Sequence, residues 1–282
     1  MEDIRIPKFV KVILILAILL FIFLMYLRFI ATSGLKVKEY KIVNSNITEN
    51  YHGLKIVHFS DIHYKSTIDY KDLKEIVDKI NYIKPDIVVF TGDIFDSHID
   101  YTENDVKNIT DLFGEIKASY KKYAINGNHD SMALWKSVIN NSNFIDLNDN
   151  YELIYMNNQR PILIAGISSG TSNINQKLSK INQYLISDKA NQIYSILLMH
   201  EPDNINYTTD FDLVLAGHSH NGQIRLPFIG AIKTPIGSKQ YYDEYYKVNN
   251  TDLYISSGLG SSIFNLRFMN KPSINLYRLT NK

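Results

Sequence analysis

Apolar and polar positions follow two different periods along most of the chain. Short apolar runs with β-branched residues are typical of buried strands, whereas apolar residues recurring every three or four positions are typical of amphipathic helices. Strands are predicted at residues 54–60, 87–91, 123–125, 162–167, 195–199, 213–216, 253–256 and 274–277. Helices are predicted at residues 73–83, 106–116 and 176–187. This alternation predicts an α/β domain.

The N-terminus departs from this pattern, because residues 12–27 form an unbroken apolar run. Basic residues flank it on both sides: Arg5, Lys8 and Lys11 before it and Arg28 after it. With its apolar neighbours the run approaches the ~20 residues that span a bilayer, and it is apolar on every side. We predict a retained transmembrane anchor within residues 1–31. A cleaved signal peptide is the alternative, since residues 31–33 resemble a small-residue cleavage site.

Composition narrows the chemistry. The chain has 282 residues, a net charge of +1 and no cysteine. Disulfides, thiolate metal sites and a cysteine nucleophile are therefore excluded, and any metal must be held by His, Asp, Glu or Asn. The balanced charge argues against a nucleic-acid partner.

Polar side chains of metal-binding type follow the predicted strands directly. In open α/β sheets the carboxyl ends of the strands form the edge at which functional sites assemble. The candidate ligands are Asp61, His63, Asp93, Asn128, His200, His218 and His220. Oxygen ligands mixed with imidazole suit Mn, Fe or Zn better than calcium or copper. Two adjacent divalent cations would need a bridging anionic ligand, since they repel each other.

Five blocks of residues carry a resemblance to a known family. They read Asp61-Ile62-His63, Gly92-Asp93-Ile94-Phe95-Asp96, Gly127-Asn128-His129-Asp130, His200 and Gly217-His218-Ser219-His220. Together, across residues 53–224, they resemble the calcineurin-like metallophosphoesterase pattern D-x-H, G-D-x-x-D, G-N-H-D/E, H and G-H-x-H. The resemblance implies a four-layer α/β/β/α sandwich of two mixed sheets, preceded here by the transmembrane helix.

The resemblance also implies a role for each position. Asp61, His63 and His220 would bind one metal, and Asn128, His200 and His218 the second. Asp93 would bridge the two. His129 would not be a ligand but would stabilise or protonate the leaving oxygen. The implied cofactors are two divalent ions, with Mn²⁺, Fe²⁺/³⁺ and Zn²⁺ all open.

A longer match is to the membrane-anchored bacterial subgroup called YaeI- or YkuE-like. Residues 217–227 resemble its G-H-T-H-G-G-Q-I-x-x-P segment, and residues 257–260 its R-G-L-G segment. Asn221 stands where that subgroup has Gly, and Ser257 stands where it has Arg. Because an arginine there could hold phosphate in relatives, the substrate is left open.

The expected organisation is an anchor at 1–31, a polar connector at 32–52 with an edge strand near 37–43, and a catalytic domain at 53–282. The expected activity is hydrolysis of phosphodiester or phosphomonoester bonds at the membrane surface by metal-activated hydroxide. Lipid-linked phosphates and UDP-sugar-lipid pyrophosphates are among the candidate substrates. An extracytoplasmic domain is favoured, although basic residues on both sides of the anchor leave the positive-inside rule little to decide. A non-catalytic phosphate- or lipid-binding descendant and a metal-dependent nuclease are the alternatives.

Several polar residues near the motifs have less specific expectations. Asp96 is expected to hold a loop or a histidine, and Asp130 to contact His129 or to cap a helix. Arg225 could touch phosphate, or it could be a solvated or stacked arginine. The remaining histidines are expected to be ordinary surface or core residues: His52, His58 and His98.

Overall fold

The computed structural model describes residues 7–156, 160–188, 193–208, 211–261 and 265–281. The predicted basic flank at Arg5 lies outside these residues. The first helix, α1 (Lys8–Met25), continues through a π-helical turn at Tyr26–Ile30. Together they form a 23-residue span that is long and apolar enough to cross a membrane. Almost none of it is buried against the rest of the chain, as expected for a helix that does not belong to the core.

Four further α-helices and fourteen strands follow along the described residues. The helices are α2 (Tyr70–Ile83), α3 (Glu103–Glu115), α4 (Met132–Asn141) and α5 (Ile174–Asp188). The strands are β1 (Lys36–Val43), β2 (Lys55–Phe59), β3 (Ile87–Phe90), β4 (Lys121–Ala124), β5 (Ile145–Asp146), β6 (Asn150–Ile154), β7 (Ile162–Gly166), β8 (Tyr194–Met199), β9 (Leu213–Ala216), β10 (Arg225–Leu226), β11 (Gly230–Ala231), β12 (Tyr245–Val248), β13 (Thr251–Ile255) and β14 (Ser273–Thr280).

Two mixed six-stranded sheets contain twelve of these strands. The first has the order β1-β14-β2-β3-β4-β5, and β2 through β5 run parallel to one another. The second has the order β12-β13-β9-β8-β7-β6, with its central strands parallel. β1 lies inside the segment predicted as a connector, and it forms the edge of the first sheet by pairing in parallel with β14.

Three apolar layers separate the elements. Alternate residues of the strands point to opposite faces, so Ile56 and Val57 on β2 enter different layers. Val57 packs with α2, α3 and α4, and Ile56 packs between the two sheets. On the far side of the second sheet, Leu178 of α5 packs with residues such as Leu197 of β8. The predicted four-layer sandwich of helices, sheet, sheet and helix is therefore confirmed.

Helix ends follow local sequence rules. Asp69 and Thr102 each form a capping box at the start of α2 and α3, and Ser131 caps α4. These caps fix where each helix leaves the loop that follows a strand of the first sheet. They therefore position the loops that carry the candidate ligands.

Candidate metal centre

The candidate ligands converge at one edge of the sandwich. Asp61, Asp93 and Asn128 follow the parallel strands β2, β3 and β4, whereas His200 and His218 follow β8 and β9. The two sheets are packed face to face, so the loops at their carboxyl ends meet across a short gap. Except for Asn128, which is exposed, these side chains are buried.

One cluster contains Asp61, His63 and His220. Nε2 of His63 lies 3.3 Å from Nε2 of His220, and Oδ1 of Asp61 lies 3.5 Å from the same His220 nitrogen. Asp61 also accepts a hydrogen bond from the backbone N–H of His218 at 3.0 Å. The carboxylate is thereby held against the loop of the second sheet.

A second cluster contains Asp93, His200 and His218, with Asn128 beside them. Nε2 of His200 lies 3.2 Å from Oδ2 of Asp93 and 3.1 Å from Oδ1 of Asn128. Nε2 of His218 donates to the carbonyl of Ile236 at 2.7 Å. This leaves Nδ1 of His218 as the nitrogen with a lone pair.

Asp93 lies between the two clusters. Its Oδ2 is 3.7 Å from Nε2 of His63 in the first cluster and 3.2 Å from Nε2 of His200 in the second. Its Oδ1 accepts the backbone N–H of His129 at 2.9 Å. A Cβ at Gly127 would overlap this carboxylate, so only glycine allows the Asn128 loop to approach so closely.

The protonation pattern tests whether this donor set fits a cation. Nδ1 of His220 lies 3.2 Å from the carbonyl of Gly260, and because a carbonyl only accepts, that nitrogen carries the proton. Nε2 of His220 therefore turns a lone pair towards Nε2 of His63 and Oδ1 of Asp61. Buried lone pairs facing a carboxylate without an intervening proton repel each other, and a cation among them removes the repulsion. The residues fit a divalent metal ion.

The electrostatics of the buried groups point the same way. Burial lowers the pKa of His63 to about 4 and that of His220 well below its usual range, so both imidazoles are neutral. Burial raises the pKa of Asp61 to about 7. Burial also opposes ionisation of Asp93, but the charge and hydrogen bond of His200 outweigh it and hold the pKa of Asp93 well below its usual range. The neutral imidazoles of His63 and His220 beside the carboxylate of Asp61 form a ligand set for a cation.

The backbone at five candidate ligands lies in the left-handed region. Positive φ angles occur at Asp61 (54°), His63 (47°), Asp93 (61°), His218 (67°) and His220 (49°). Non-glycine residues adopt this region at a cost, and such residues cluster at functional sites. These left-handed positions coincide with the residues whose ligand atoms converge in the two clusters.

His129 and Asp96 lie at the rim of the first cluster, where they form a third grouping with His63. Oδ2 of Asp96 is 4.0 Å from Nδ1 of His63, a buried atom without a hydrogen-bond partner among the described residues. Oδ1 of Asp96 is 3.9 Å from Nδ1 of His129 and 3.1 Å from Nδ1 of His98. Oδ1 of Asp96 also accepts the backbone N–H of His98 at 3.0 Å, so Asp96 holds its own loop, which is one of the two roles expected for it.

Asp130 does not cap α4, because Ser131 does so. Its carboxylate accepts four backbone N–H groups instead, at 2.8 to 3.1 Å, from Gly127 and from residues 93–95. Asp130 therefore ties the loop after β3 to the loop after β4. No local pattern predicts this contact, because residues 93–95 lie more than thirty positions away from Asp130.

Arg267 and the two departures from the subgroup pattern meet beside the centre. The fully buried guanidinium of Arg267 donates to the carbonyls of Ser257, Gly258 and Gly260. Asn221 has φ 49° and ψ 33°, the left-handed conformation that Gly adopts freely and Asn tolerates best among other residues.

Arg225 pairs with Asp243 at 2.6 Å and does not lie free in solvent.

The remaining histidines behave as expected. His58 is a core residue whose Nε2 lies 2.8 Å from the hydroxyl of Thr91, and burial lowers its pKa to about 3. His52 and His98 are exposed. None of these three belongs to a cluster of candidate ligands among the described residues.

Comparison with known proteins agrees with this geometry. The calcineurin-like phosphoesterase family matches residues 54–222. A protein of Bacillus subtilis described as uncharacterized metallophosphoesterase YkuE is 34% identical over 263 residues, covering 90% of this chain and 88% of that protein. The UDP-2,3-diacylglucosamine pyrophosphatase LpxG of Chlamydia muridarum is 24% identical, covering 80% and 84%. Phosphodiesterase YaeI of Escherichia coli is 23% identical, covering 82% and 84%.

The lengths of these matches show to which family the chain belongs. The family match spans more than half of the chain and contains every candidate ligand from Asp61 to His220. The Bacillus relative aligns along most of both sequences. This protein belongs to the calcineurin-like phosphoesterase family.

Proposed function

We propose that this metallophosphoesterase holds two divalent cations at the clusters described above and hydrolyses phosphate esters at a membrane surface. Asp61, His63 and His220 would hold one cation. Asn128, His200 and His218 would hold the other, and Asp93 would bridge them. The observation that carries the proposal is the position of Asp93, whose Oδ2 lies within 3.7 Å of one histidine from each cluster.

The donor chemistry restricts the metal. Imidazole nitrogens with carboxylate and amide oxygens suit Mn²⁺, iron or Zn²⁺, and the absence of cysteine removes thiolate ligands. Manganese is one member of this set. Two such cations, when bound, supply the Lewis acidity that lowers the pKa of a water molecule and balances the charge of the phosphoryl group.

His129 is the proposed proton donor for the leaving oxygen. The backbone N–H of Ser97 points at Nδ1 of His129 at 3.4 Å, and the Ser97 hydroxyl lies 3.1 Å from the same atom. Because Nδ1 accepts, the proton of the neutral ring resides on Nε2. His129 is only partly buried, so a leaving group entering from solvent can reach this proton.

The proposed location is a membrane surface, with α1 as a retained anchor. The 23-residue span through Ile30 has the length and hydropathy of a membrane-crossing helix. It joins directly to β1, so only a few residues separate the bilayer from the first sheet. We propose that the domain faces away from the cytoplasm. Lipid-linked phosphodiester or pyrophosphate substrates fit this location, and the name of the Chlamydia relative states such a substrate for that protein.

An activity panel tests the phosphoesterase proposal. Full-length chain purified in detergent would be loaded with Mn²⁺, Fe²⁺ or Zn²⁺, and its metal content measured by elemental analysis. Turnover of an aryl phosphomonoester and an aryl phosphodiester would then be compared. We expect turnover of at least one. Two bound metals with no turnover of either ester would refute the proposal and would favour a binding role.

Membrane fractionation tests the anchor. We expect the intact chain in the membrane fraction after extraction with alkaline carbonate, with an N-terminal peptide that still includes Phe9 to Leu27 by mass spectrometry. A mature N-terminus near Ser33 would contradict a retained anchor and would indicate a cleaved signal peptide. Protease treatment of spheroplasts would report which side the domain faces.

A further inference from the structure

The last turns of the anchor helix contact the catalytic domain. The ring of Phe23 in α1 packs edge-on against the ring of Phe268, with centroids 5.5 Å apart. The backbone N–H of Arg267 donates to the carbonyl of Leu27 at 3.2 Å. Residues 267 and 268 therefore lie beside the helix, not beyond its end.

The length of the helix sets the depth of this contact. The span Lys8–Ile30 has 23 residues. At ~1.5 Å per residue it is about 34 Å long, against a hydrocarbon core of about 30 Å. Little of the helix is left to project into water. Phe23 lies seven residues before Ile30, the end of the span. At ~1.5 Å per residue, it is about 10 Å deeper in the bilayer than that end. Phe268 is consequently level with the hydrocarbon or its boundary.

Phe268 is tied to a neighbouring hairpin. Its N–H donates to the carbonyl of Gln223 at 3.2 Å, and its carbonyl accepts from Arg225 at 3.1 Å. From there β10 and β11 form a short antiparallel pair, followed by a segment without regular secondary structure up to Ile236. We name residues 225–236 the rim hairpin. It is held at the height of the anchor contact by these backbone bonds.

The rim hairpin exposes apolar side chains. Phe228 at its turn is fully exposed, and Ile229 and Ile236 are 71% and 83% exposed. Ile232 and Leu226 are also exposed. A contiguous set of large exposed apolar residues marks an interaction surface in a soluble domain. Lys233 within the same segment supplies a cation suited to the headgroup layer.

A cavity connects the rim hairpin to the candidate metal centre. It has a volume of about 280 Å³. His218 and His220 line one part of it, and Ile224, Ile232 and Pro235 line another. The cavity thus places apolar lining next to candidate metal ligands. A molecule with a phosphate ester at one end and an apolar portion at the other matches both parts.

We propose that the rim hairpin inserts into the membrane leaflet at the C-terminal end of α1, so that the cavity receives an amphiphilic phosphate ester from the lipid. The partner is the bilayer itself, chosen because the hairpin is joined through Phe268 to the membrane-spanning helix. The assignment of the substrate rests on the proposed phosphoesterase function, whereas the insertion of the hairpin rests only on the proposed retention of α1 as an anchor, which the membrane fractionation tests separately.

Site-directed labelling of the full chain tests the insertion. The sequence has no cysteine, so Phe228→Cys creates a single attachment site for a bimane fluorophore. The labelled chain would be reconstituted in vesicles of phosphatidylcholine and phosphatidylglycerol. We expect quenching by lipids that carry a nitroxide on the acyl chain. We also expect aqueous iodide to quench the label several-fold less than it quenches a water-exposed control.

Tyr82→Cys is the matched control. Tyr82 is 80% exposed at the C-terminal end of α2. Because α2 connects the parallel strands β2 and β3, that end lies at the edge of the sheet opposite the metal centre. Its label should respond to iodide and not to the nitroxide lipids.

Each outcome decides the proposal. Equal iodide quenching at both positions would overturn the insertion. A label at 228 that is shielded from iodide but not quenched by the lipids would also overturn it, and would indicate contact with a second copy or another protein. Aryl ester turnover and metal content, measured on the same vesicles, report the proposed function separately. An active enzyme with a water-exposed label would refute only the insertion.

Discussion

Oδ2 of Asp93 lies 3.2 Å from Nε2 of His200, although one residue follows a strand of the first sheet and the other a strand of the second. Nδ1 of His200 lies 2.6 Å from the carbonyl of Thr91, so that nitrogen carries a proton. In a neutral ring Nε2 then offers a lone pair to a carboxylate oxygen. Such a pairing is favourable only when His200 is protonated or when a cation joins the two atoms.

Replacement of Asp93 tests the bridging role. Asp93→Ala removes the carboxylate that reaches both clusters, so we expect the loss of both metals. Elemental analysis of the purified full-length chain measures the content per protein. The control is His98→Ala. His98 is exposed and contacts Asp96, but it is not a proposed ligand, so this variant should retain two metals. Retention of two metals in Asp93→Ala would refute the bridge.

Replacement of His129 tests the proton donor. His129→Ala should keep both metals, because His129 is not among the proposed ligands. Turnover of an ester with a poor leaving group should fall by roughly 10²–10⁴-fold, the range usual for a lost general acid. An aryl ester with a good leaving group should lose much less. If wild type and variant turned over the ester with the poor leaving group at equal rates, His129 would not be the proton donor.

Replacement of Asp130 tests the link between the two loops. Asp130→Ala leaves four buried N–H groups without their acceptor. Each unsatisfied buried donor costs about 1–3 kcal/mol, so for four donors we expect a loss of at least about 4 kcal/mol in the free energy of unfolding. Denaturant titration measures it. Asp111→Ala breaks only an exposed ion pair with Lys107 and should change stability by less than about 1 kcal/mol. Similar midpoints for the two variants would count against the link.

Lys122 should make the free energy of unfolding depend on pH in the alkaline range. Its ammonium donates to the carbonyls of Phe113 and Ser142, yet burial lowers its pKa from 10.5 to about 8. Between these values the unfolded chain binds more protons than the folded chain, so a rise in pH favours folding. The free energy of unfolding of wild type should therefore increase relative to Lys122→Met between about pH 8 and about pH 10. Parallel pH profiles would contradict this.

The strand-end placement of the ligands could be predicted because it depends on local patterns. Apolar runs such as residues 87–91 mark buried strands, and the polar residue after each run must lie at the sheet edge. The metal-binding residue types and spacing then predict the centre. The α/β order of the first half follows from the same alternation.

Other features depend on contacts that local patterns do not contain. β6 and β12 are only partly buried and owe their assignment to pairing with β7 and β13. Arg267 donates a hydrogen bond to the carbonyl of Ser257. The sequence around Arg267 does not distinguish this buried arginine from an arginine on the surface. α4 is not among the predicted helices, although its sequence carries a local signal, namely the Ser131 cap followed by apolar residues at helical spacing.

The position of β14 has a consequence for biosynthesis. β14 lies between β1 and β2, yet it is translated after every other described strand. Until β14 emerges from the ribosome, β2 is an edge strand of the first sheet, and β1 lacks the strand with which it pairs in the described fold. Unpaired strand edges pair readily with foreign strands. Ser273–Thr280 covers both, so a truncation that removes this strand should yield an aggregating chain and not a smaller enzyme.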